Sequence, residues 1–433
     1  MSEQKIVVGI DAGSAKIVTV VGKVDEEGVV NVLGVAEVTS SGIKKGQIVD
    51  IDEAVTAMSN SLDGAERMAG HSISHVVASI GGSHIESLNS KGVVAVANAK
   101  GEIEQSDLER VIDAARAVSF PTTREIIHVL PRFYTVDGQE GIKDPIGMTG
   151  VRLEVDTHLV SASSTAIRNF EKALSEVGVE VDGFAFSGFA SSLAVLSATE
   201  KELGVVLIDI GAGTTDISVY IEGAVAYSAV LPIGARHITN DIAIGLRVSL
   251  ESAEKIKLFL SRPVARKAIG LAPEEEKEKK HDDELDLSSL HLDEEVKKVS
   301  QKTLLDGIIR PRLNEIFTMV GAELRKSGLG GQTPAGLVIT GGGAKTVGIV
   351  DAAKRMLAMP VRIGYPTDIK GIVDEAQDTS FATAIGLLRY GATLTNTKQS
   401  FNFSMPKLGG LPKIGGTGKL GKQILNLLKS FIP

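Results

Sequence analysis

The chain of 433 residues contains neither cysteine nor tryptophan. Without cysteine it forms no disulfide, no thiolate metal site and no cysteine nucleophile, which suits a reducing cytoplasm. Without tryptophan it cannot bind a ligand by indole stacking. No apolar run reaches the roughly 18 residues of a membrane-spanning helix, and we expect no signal segment before the first strand. The formal net charge of -8 does not favour general nucleic-acid binding, so no nucleic-acid partner is expected.

The remaining composition is that of a soluble globular protein. Hydrophobic residues make up 43% of the chain and charged residues 23%, both close to the usual proportions. At this length one ordinary core is not enough, so two or more domains are expected. Apolar runs alternate with amphipathic helical patterns, which predicts an α/β fold.

The stretch from Leu207 to Asp216 has the strongest chemical signal. An apolar run, typical of a buried strand, breaks into glycines and threonines and is followed by a second strand pattern. Such a turn offers backbone N–H groups to phosphates, and its first carboxylate suits a magnesium ion that keeps most of its water. The candidate ligands here are Asp209, Gly211, Gly213, Thr214 and Thr215, with Asp209 also the metal residue.

A related stretch lies near the start of the chain, where an apolar strand leads into Asp-x-Gly, a hydroxyl residue and a second strand. Its candidate phosphate ligands are Asp11, Gly13, Ser14 and Lys16, with Asp11 as the second metal residue. Two such hairpins predict two related halves that face one nucleotide.

A third glycine cluster, Gly341–Ala344, follows another short apolar strand. Other nucleotide motifs fail. No Gly-x-Gly-x-x-Gly follows a strand, and the P-loop-like stretch at 416–423 has glutamine where serine or threonine should bind magnesium.

In this order the three motifs resemble the phosphate-1, phosphate-2 and adenosine motifs of the actin, sugar kinase and heat-shock chaperone ATPase superfamily. Within it the chain resembles the FtsA family of bacterial cell-division proteins. Further support comes from the segments 252–257 and 309–316 and from the end of the chain. The resemblance implies an actin-like two-lobed ATPase fold of duplicated ribonuclease H-like sheets, with ATP and Mg²⁺ between the lobes. It also implies that Glu254, Lys257, Gly342 and Gly343 border the adenosine.

The resemblance implies a division of the chain into subdomains. These are subdomain 1A at 1–83 and 164–202, an inserted subdomain 1C at 84–163, subdomain 2A at 203–240 and 335–395, subdomain 2B at 241–334, a flexible linker at 396–418 and a membrane-targeting amphipathic helix at 419–433. Within 2B, the acidic run at 273–295 is typical of a solvated surface insertion. The stretch from Glu294 to Lys326 predicts a long helix with a break near Pro311.

One position departs from the superfamily pattern. Chaperone ATPases and rod-shape actin homologues carry a glutamate before the small-residue helix, where it helps to position the attacking water. The comparable residue here is Ser187, which cannot act as a carboxylate base. We therefore expect ATP binding with weak or no ATPase activity, and no catalytic residue is assigned.

The last segment is amphipathic by its own pattern. At 100° per residue its polar and basic residues fall opposite an apolar face, as in an interfacial membrane helix. The apolar face contains Leu420, Ile424, Leu427, Leu428 and Phe431.

The resemblance implies a division protein on the cytoplasmic side of the membrane, peripheral and at the division site. It would self-associate into polymers, anchor FtsZ filaments through subdomain 2B and contact later division proteins through subdomain 1C. Two alternatives are a scaffold like the pilus-assembly protein PilM, which is not expected to carry this tail helix, and a sugar kinase. A kinase needs a catalytic aspartate at the cleft, and no candidate for it stands out.

Overall fold

The structure, a computed structural model, describes residues 6–261, 283–371 and 376–400, the last six of these by their backbone only. Residues 1–394 form one compact unit and residues 395–433 a second. Most of the predicted linker and all of the predicted tail helix lie outside the described residues. Among the helices that are described, none combines the length and the apolar character needed to cross a membrane.

The strands are given in chain order. They are β1 (Ile6–Ala12), β2 (Lys16–Val24), β3 (Val30–Thr39), β4 (Ile43–Lys44), β5 (Gln47–Ile48), β6 (His75–Ile80), β7 (Glu86–Ala95), β8 (Arg124–Val136), β9 (Gln139–Ile142), β10 (Arg152–Ser163), β11 (Glu180–Phe186), β12 (Val205–Ile210), β13 (Thr215–Ile221), β14 (Ala224–Leu231), β15 (Glu284–Asp286), β16 (Lys298–Ser300), β17 (Leu337–Thr340), β18 (Val361–Ile363) and β19 (Ile369–Gly371).

The helices follow the same order. The α-helices are α1 (Ile51–Ala69), α2 (Gln105–Arg116), α3 (Ser164–Glu176), α4 (Ser187–Val195), α5 (Ala198–Leu203), α6 (Ala235–Leu246), α7 (Leu250–Ser261), α8 (Arg310–Ser327), α9 (Ile349–Leu357) and α10 (Ala382–Ser400). Shorter turns of 3₁₀-helix lie at Ser288–Leu290, Gly342–Lys345 and Thr379–Phe381, and a π-helix at Thr303–Ile309.

Two sheets repeat one topology. The first has the order β11-β6-β1-β2-β3, with β19 added beside β3, and the second has the order β14-β13-β12-β17-β18. In each sheet the three strands that come first in the chain, β1–β3 or β12–β14, form an antiparallel meander. The next two strands, β6 and β11 or β17 and β18, run parallel to the first strand of that meander. The predicted duplication is therefore confirmed. We call the half built on the first sheet lobe 1 and the half built on the second sheet lobe 2.

Helices fill three layers around the two sheets. The outer face of the first sheet packs on α1 and α3, and the outer face of the second sheet packs on α6–α9. Helices α4 and α10 lie between the sheets, within one apolar cluster that includes strands of both. They cross so closely that a Cβ on Gly386 of α10 would overlap the backbone of Ala190 in α4. Only glycine allows this packing, so the two lobes meet around a tight helix pair.

The inserted subdomain forms a separate sheet, β7-β10-β8-β9, between β6 and α3. Helix α2 covers one face of this sheet, and the two share their own apolar cluster. The subdomain also contacts both lobes. Its buried His128 accepts a hydrogen bond at Nε2 from the N–H of Phe186 in lobe 1, at 2.9 Å. His158 lies 3.0 Å through Nε2 from the hydroxyl of Ser228, in the edge strand β14 of lobe 2.

Acidification is expected to destabilise the protein through His128 and His158. Burial lowers the pKa of each to about 3, whereas an unfolded chain titrates its histidines near 6.5. The unfolded state therefore binds more protons, and stability is lost as pH falls from about 6.5 towards 3. Each histidine should reduce the free energy of unfolding by about 2 kcal/mol at pH 5.

The measurement is urea unfolding at pH 7 and pH 5. The variant His128→Gln should lose the part of the decrease that His128 causes, about 2 kcal/mol at pH 5. The variant His71→Gln, at an exposed position, should keep all of it. An equal pH dependence in all three proteins would contradict this role for His128.

Two segments before α8 differ from the sequence predictions. Residues 283–302 form the hairpin β15–β16, and Leu285 and Leu287 are buried in the core of lobe 2. This part of the acidic run is thus not a solvated insertion, because its alternate apolar residues face inward. The long helix accordingly begins after β16 rather than at Glu294. The predicted break is a π-helix, Thr303–Ile309, that ends two residues before Pro311. Proline has no backbone N–H to donate, so the regular hydrogen bonds of the helix are interrupted there.

The end of lobe 2 also differs. Strand β19 pairs with β3 of lobe 1, and Leu387 of α10 packs with Val77 and Ala185 of lobe 1. The segment 335–395 therefore divides between the lobes instead of lying in subdomain 2A alone. Helix α10 extends through Ser400, five residues into the segment predicted as linker.

Candidate functional site

A cleft of about 320 Å³ lies where the two lobes face each other, within the usual size of small-molecule sites. It brings together almost every residue that the sequence predicted for the nucleotide and its metal ion. Those that line it are Asp11, Gly13, Ser14, Lys16, Asp209, Gly211, Gly213, Thr214, Glu254, Lys257, Gly342 and Gly343. Thr215 does not line it, since its side chain is fully buried and its hydroxyl donates to the carbonyl of Ile233 at 2.8 Å.

The two glycine turns have the same backbone geometry. In the β1–β2 turn the N–H of Gly13 donates to the carbonyl of Lys16 at 3.0 Å, and in the β12–β13 turn Gly211 donates to Thr214 at 2.9 Å. Each turn begins two residues after an aspartate that is the last residue but one of the preceding strand. Arg236 connects the turns. Its backbone N–H donates to the carbonyl of Ala212 in the β12–β13 turn at 2.9 Å, and its guanidinium donates to the carbonyl of Ser14 in the β1–β2 turn at 3.0 Å. The two turns are therefore equivalent parts of one site.

Three of the acidic residues that line the cleft are aspartates, Asp11, Asp209 and Asp216. Desolvation raises the pKa of Asp11, against an opposing hydrogen bond from Ser79. Burial and the nearby charge of Asp11 raise the pKa of Asp209 to about 6. Burial, with the charges of the other two, raises the pKa of Asp216 well above its usual range. Such a cluster favours a bound cation, because a positive charge would relieve the repulsion among the carboxylates.

The arrangement fits a hydrated divalent cation. Oδ1 of Asp216 is buried and accepts no hydrogen bond from any described group. In the described part of the chain no group of three or more histidine or carboxylate side chains is placed to coordinate a metal directly. Binding through the ion's water shell, as predicted for Asp11 and Asp209, needs no such group, since Mg²⁺ commonly keeps several waters.

Two hydroxyls that the sequence did not reveal hold Asp209 in place. Ser191 donates to Oδ2 of Asp209, and Thr383 donates to the same oxygen at 3.1 Å. These residues come from α4 and α10, the two helices that cross between the sheets. The carboxylate is thus oriented by the elements on which the two lobes meet.

The other end of the cleft is formed by α7 and the third glycine cluster. Lys257 is buried and donates to Glu254 at 2.7 Å and to Thr239 at 2.8 Å. Gly341 has a φ of 83°, and a Cβ there would overlap the carboxylate of Asp209. This loop can therefore approach a ligand by its backbone only because glycine occupies the position.

The segment Asp378–Thr383 also reaches the cleft, and sequence reasoning missed it. Thr379, Ser380 and Thr383 line the cleft together with Lys345, the residue after the third glycine cluster. The available signal was Asp378-x-Ser380, a side-chain cap immediately before a helix. That pattern is so common at helix starts that it does not by itself indicate a site.

Ser187 lies at the cleft as the first residue of α4. Its hydroxyl faces Gly81, the residue that follows β6. No carboxylate stands at this position, in agreement with the departure noted in the sequence. A Cβ added to the same glycine would also lie 3.9 Å from Oδ1 of Asp216, so this carboxylate is close to the position.

Two parts of the chain match known protein families. Residues 82–161 match the family described as "SHS2 domain inserted in FTSA", and residues 206–386 match the family described as "Cell division protein FtsA". The first range nearly coincides with the inserted subdomain, and the second contains lobe 2 and the start of α10.

Whole-chain relatives agree. The chain is 40% identical over 405 residues to the cell division protein FtsA of Pseudomonas aeruginosa, with 94% of this chain and 93% of that protein covered. It is 36% identical over 397 residues to FtsA of Escherichia coli strain K12, covering 90% of this chain and 91% of that protein. The chain therefore belongs to the FtsA family of cell division proteins.

Solved structures show the same fold at low identity. The PilM-PilN type IV pilus biogenesis complex matches with a TM-score of 0.62 and 16% identity, over 90% of this chain and 99% of that one. MreB5 of Spiroplasma citri bound to ADP matches with a TM-score of 0.51 and 15% identity, over 91% and 98%. These likenesses establish an actin-like fold.

Proposed function

We propose that this member of the FtsA family binds ATP with Mg²⁺ in the cleft and self-associates on the cytoplasmic face of the membrane. There it anchors FtsZ filaments at the division site. The observation that carries the proposal is the pair of equivalent glycine turns facing each other across three carboxylates. A nucleotide with its cation is the ligand class for which such a pair is suited.

The cleft residues divide by chemistry. Backbone N–H groups of the two turns and the ammonium of Lys16 would hold the phosphates, while Asp11 and Asp209 would hold magnesium through its water. Glu254 and Lys257, with Gly342 and Gly343, would border the adenosine. Bound magnesium would neutralise phosphate charge, and the lobes would be drawn together around it. One structural neighbour, MreB5 of Spiroplasma citri, has ADP bound, which agrees with a nucleotide in this fold.

Membrane attachment is proposed for the predicted helix 419–433, through its face of Leu420, Ile424, Leu427, Leu428 and Phe431. It rests on the sequence pattern alone, since these residues lie outside the described part of the chain. By family resemblance, FtsZ would bind subdomain 2B and later division proteins would bind the inserted subdomain. A PilM-like role has only the shared fold in its favour.

The test is electron microscopy of the protein with ATP and Mg²⁺ on an anionic lipid monolayer. Full-length protein should form filaments on the lipid and recruit purified FtsZ filaments. Protein lacking residues 419–433 should leave the monolayer bare of both while still binding ATP in solution. FtsZ recruitment that does not depend on this segment would contradict the tether, and failure to bind ATP would contradict the nucleotide assignment.

Hydrolysis of ATP is expected to be slow, with turnover below about 1 per second, the lower end of ordinary enzyme rates. The reason is that Ser187 lines the cleft where a carboxylate would be needed to position the attacking water. Phosphate release measured under saturating ATP and Mg²⁺ checks this. Turnover at ordinary enzyme rates would show that another group, such as Asp216, takes the missing role.

A further inference from the structure

The segment Asp378–Thr383 touches all three predicted nucleotide loops. It begins at a cap, where Oδ1 of Asp378 accepts from both the N–H and the hydroxyl of Ser380, at 3.0 and 2.6 Å. It ends in α10, the helix between the sheets. None of the sequence motifs includes it, yet each motif has a contact with it.

The first contact is with the β1–β2 turn. The ammonium of Lys16 donates to the hydroxyl of Ser380 at 2.8 Å and to Glu37 at 2.5 Å. It also lies 4.1 Å from the ring centre of Phe381. A lysine has a long flexible side chain, and here three neighbours restrict it to one position beside the cleft.

The second contact is with the third glycine cluster. Oδ2 of Asp378 lies 2.6 Å from the ammonium of Lys345. The hydroxyl of Thr379 donates to the carbonyl of Gly341 at 2.9 Å, and the N–H of Gly341 donates back to Thr379 at 3.2 Å. This loop is therefore held to the segment by both side chain and backbone.

The third contact is with the motif that contains the β12–β13 turn, through the hydrogen bond from Thr383 to Asp209 at the end of β12. A continuous set of bonds thus runs from Lys16 through Ser380 and Asp378 to Lys345. Its two ends are the lysine proposed for the phosphates and the loop proposed for the adenosine.

We propose that Ser380 is a positioning residue for Lys16, and that Asp378 and Lys345 join this lysine to the adenosine loop. Ser380 then prepares the ammonium for the phosphates before a nucleotide arrives, and contact at one end of the cleft strengthens contact at the other. The inference rests on the proposed binding of ATP. It goes further by assigning a fourth segment, absent from the three motifs, to nucleotide affinity.

The test is a set of dissociation constants for MgATP and for adenosine, which lacks phosphates. Titration or displacement of a fluorescent ATP analogue supplies both. Ser380→Ala should weaken MgATP binding about 5- to 10-fold, because the ammonium loses its preorganisation, and should change adenosine binding less than about 2-fold. Ser380→Thr retains the hydroxyl and should restore affinity. Ser327→Ala removes a hydroxyl at the end of α8 that bonds only to the backbone of Leu324 and Leu329. Because Ser327 does not line the cleft, this variant serves as the matched control.

A double-mutant cycle separates positioning from packing. Lys16→Ala should weaken MgATP binding more than Ser380→Ala does. Adding Ser380→Ala to Lys16→Ala should then cost less than about 2-fold further, since Ser380 acts through the lysine. The pair Ser380→Ala and Lys345→Met should likewise be non-additive. Thermal unfolding of each variant without ligand confirms that it is folded.

Several results would overturn the inference. Additive effects of Ser380→Ala and Lys16→Ala would show that the hydroxyl does not act through the lysine. Equal weakening of MgATP and adenosine would indicate a packing role, and tighter MgATP binding would show that Ser380 competes with the phosphates. Wild-type protein that binds no MgATP would contradict the proposed function itself, whereas normal wild-type binding with an unaffected Ser380→Ala variant contradicts only the inference.

Discussion

Replacement of Leu428 and Phe431 by glutamate is expected to release the protein from vesicles that contain anionic lipid. Both residues lie on the apolar face predicted for the helix 419–433. The change removes two of the largest contacts with the acyl chains and places two negative charges beside an anionic surface. Co-sedimentation with vesicles of phosphatidylglycerol and phosphatidylcholine should fall from most of the protein to background.

The size of the effect follows from the balance of free energies for one helix. Each large apolar side chain contributes at most roughly 1.5–3 kcal/mol when buried, and each lysine adds about 1 kcal/mol near an anionic leaflet. Ordering the helix costs roughly 1 kcal/mol or more per residue. A single copy should thus bind reversibly, and losing two anchors removes most of the net affinity. Several helices on one polymer bind far more firmly through effective concentration, so attachment and self-association should be coupled.

The matched control places the same two charges on the opposite face. Asn426→Glu with Ser430→Glu changes the net charge equally but leaves the apolar face intact. It should weaken binding only in part. Added salt screens surface charges, so the difference between this control and the wild type should not grow as salt is added. Equal release by both double variants would mean that charge alone holds the protein. Unchanged co-sedimentation of the first variant would refute the anchor.

Local features of the site could be predicted from the sequence. The two glycine turns are encoded within ten residues each, because an apolar strand, an aspartate and a glycine turn are consecutive in the chain. Their placement opposite each other follows once the strand order repeats, and the two sheets do repeat it. The inserted subdomain was visible as a change in pattern after β6.

Features that depend on distant contacts could not be predicted. Ser380 meets Lys16 across 364 positions of the chain, and no local periodicity carries that information. Thr215 illustrates the converse, because it directly follows a cleft-lining position, yet strand alternation turns it to the interior. The burial of Leu285 was hidden by the charges around it, since a short two-stranded hairpin needs only alternate apolar residues.

Replacement of Asp209 by asparagine is expected to stabilise the ligand-free protein and to impair MgATP binding at the same time. The carboxylate is buried beside those of Asp11 and Asp216, so its charge opposes folding. Asparagine has nearly the same shape, and its carbonyl can accept the hydrogen bonds from Ser191 and Thr383. We expect the free energy of unfolding at pH 7.5 to rise by about 1–3 kcal/mol.

The stabilisation expected for this variant follows from the direction in which the pKa of Asp209 is shifted. Burial raises the pKa of Asp209 to about 6, above the value near 3.9 of an unfolded chain. The folded state therefore binds more protons between these values, and its stability is lost as pH rises from about 4 to 6. Above pH 6 the whole penalty is present, and the variant removes it. The stabilisation should accordingly shrink as pH falls from 7.5 to 5.

The same change should weaken MgATP binding by about 100-fold, the scale seen when groups that orient a bound metal are lost. Binding of ATP without magnesium should suffer much less, because the turns and Lys16 are unchanged. Urea unfolding and nucleotide titrations with and without Mg²⁺ give both quantities. Asp63→Asn, at an exposed position of α1, is the control and should alter neither. If Asp209→Asn lowered stability, or left MgATP binding intact, the carboxylate would have a structural role. Its unfavourable burial could then not be explained by a role in binding MgATP.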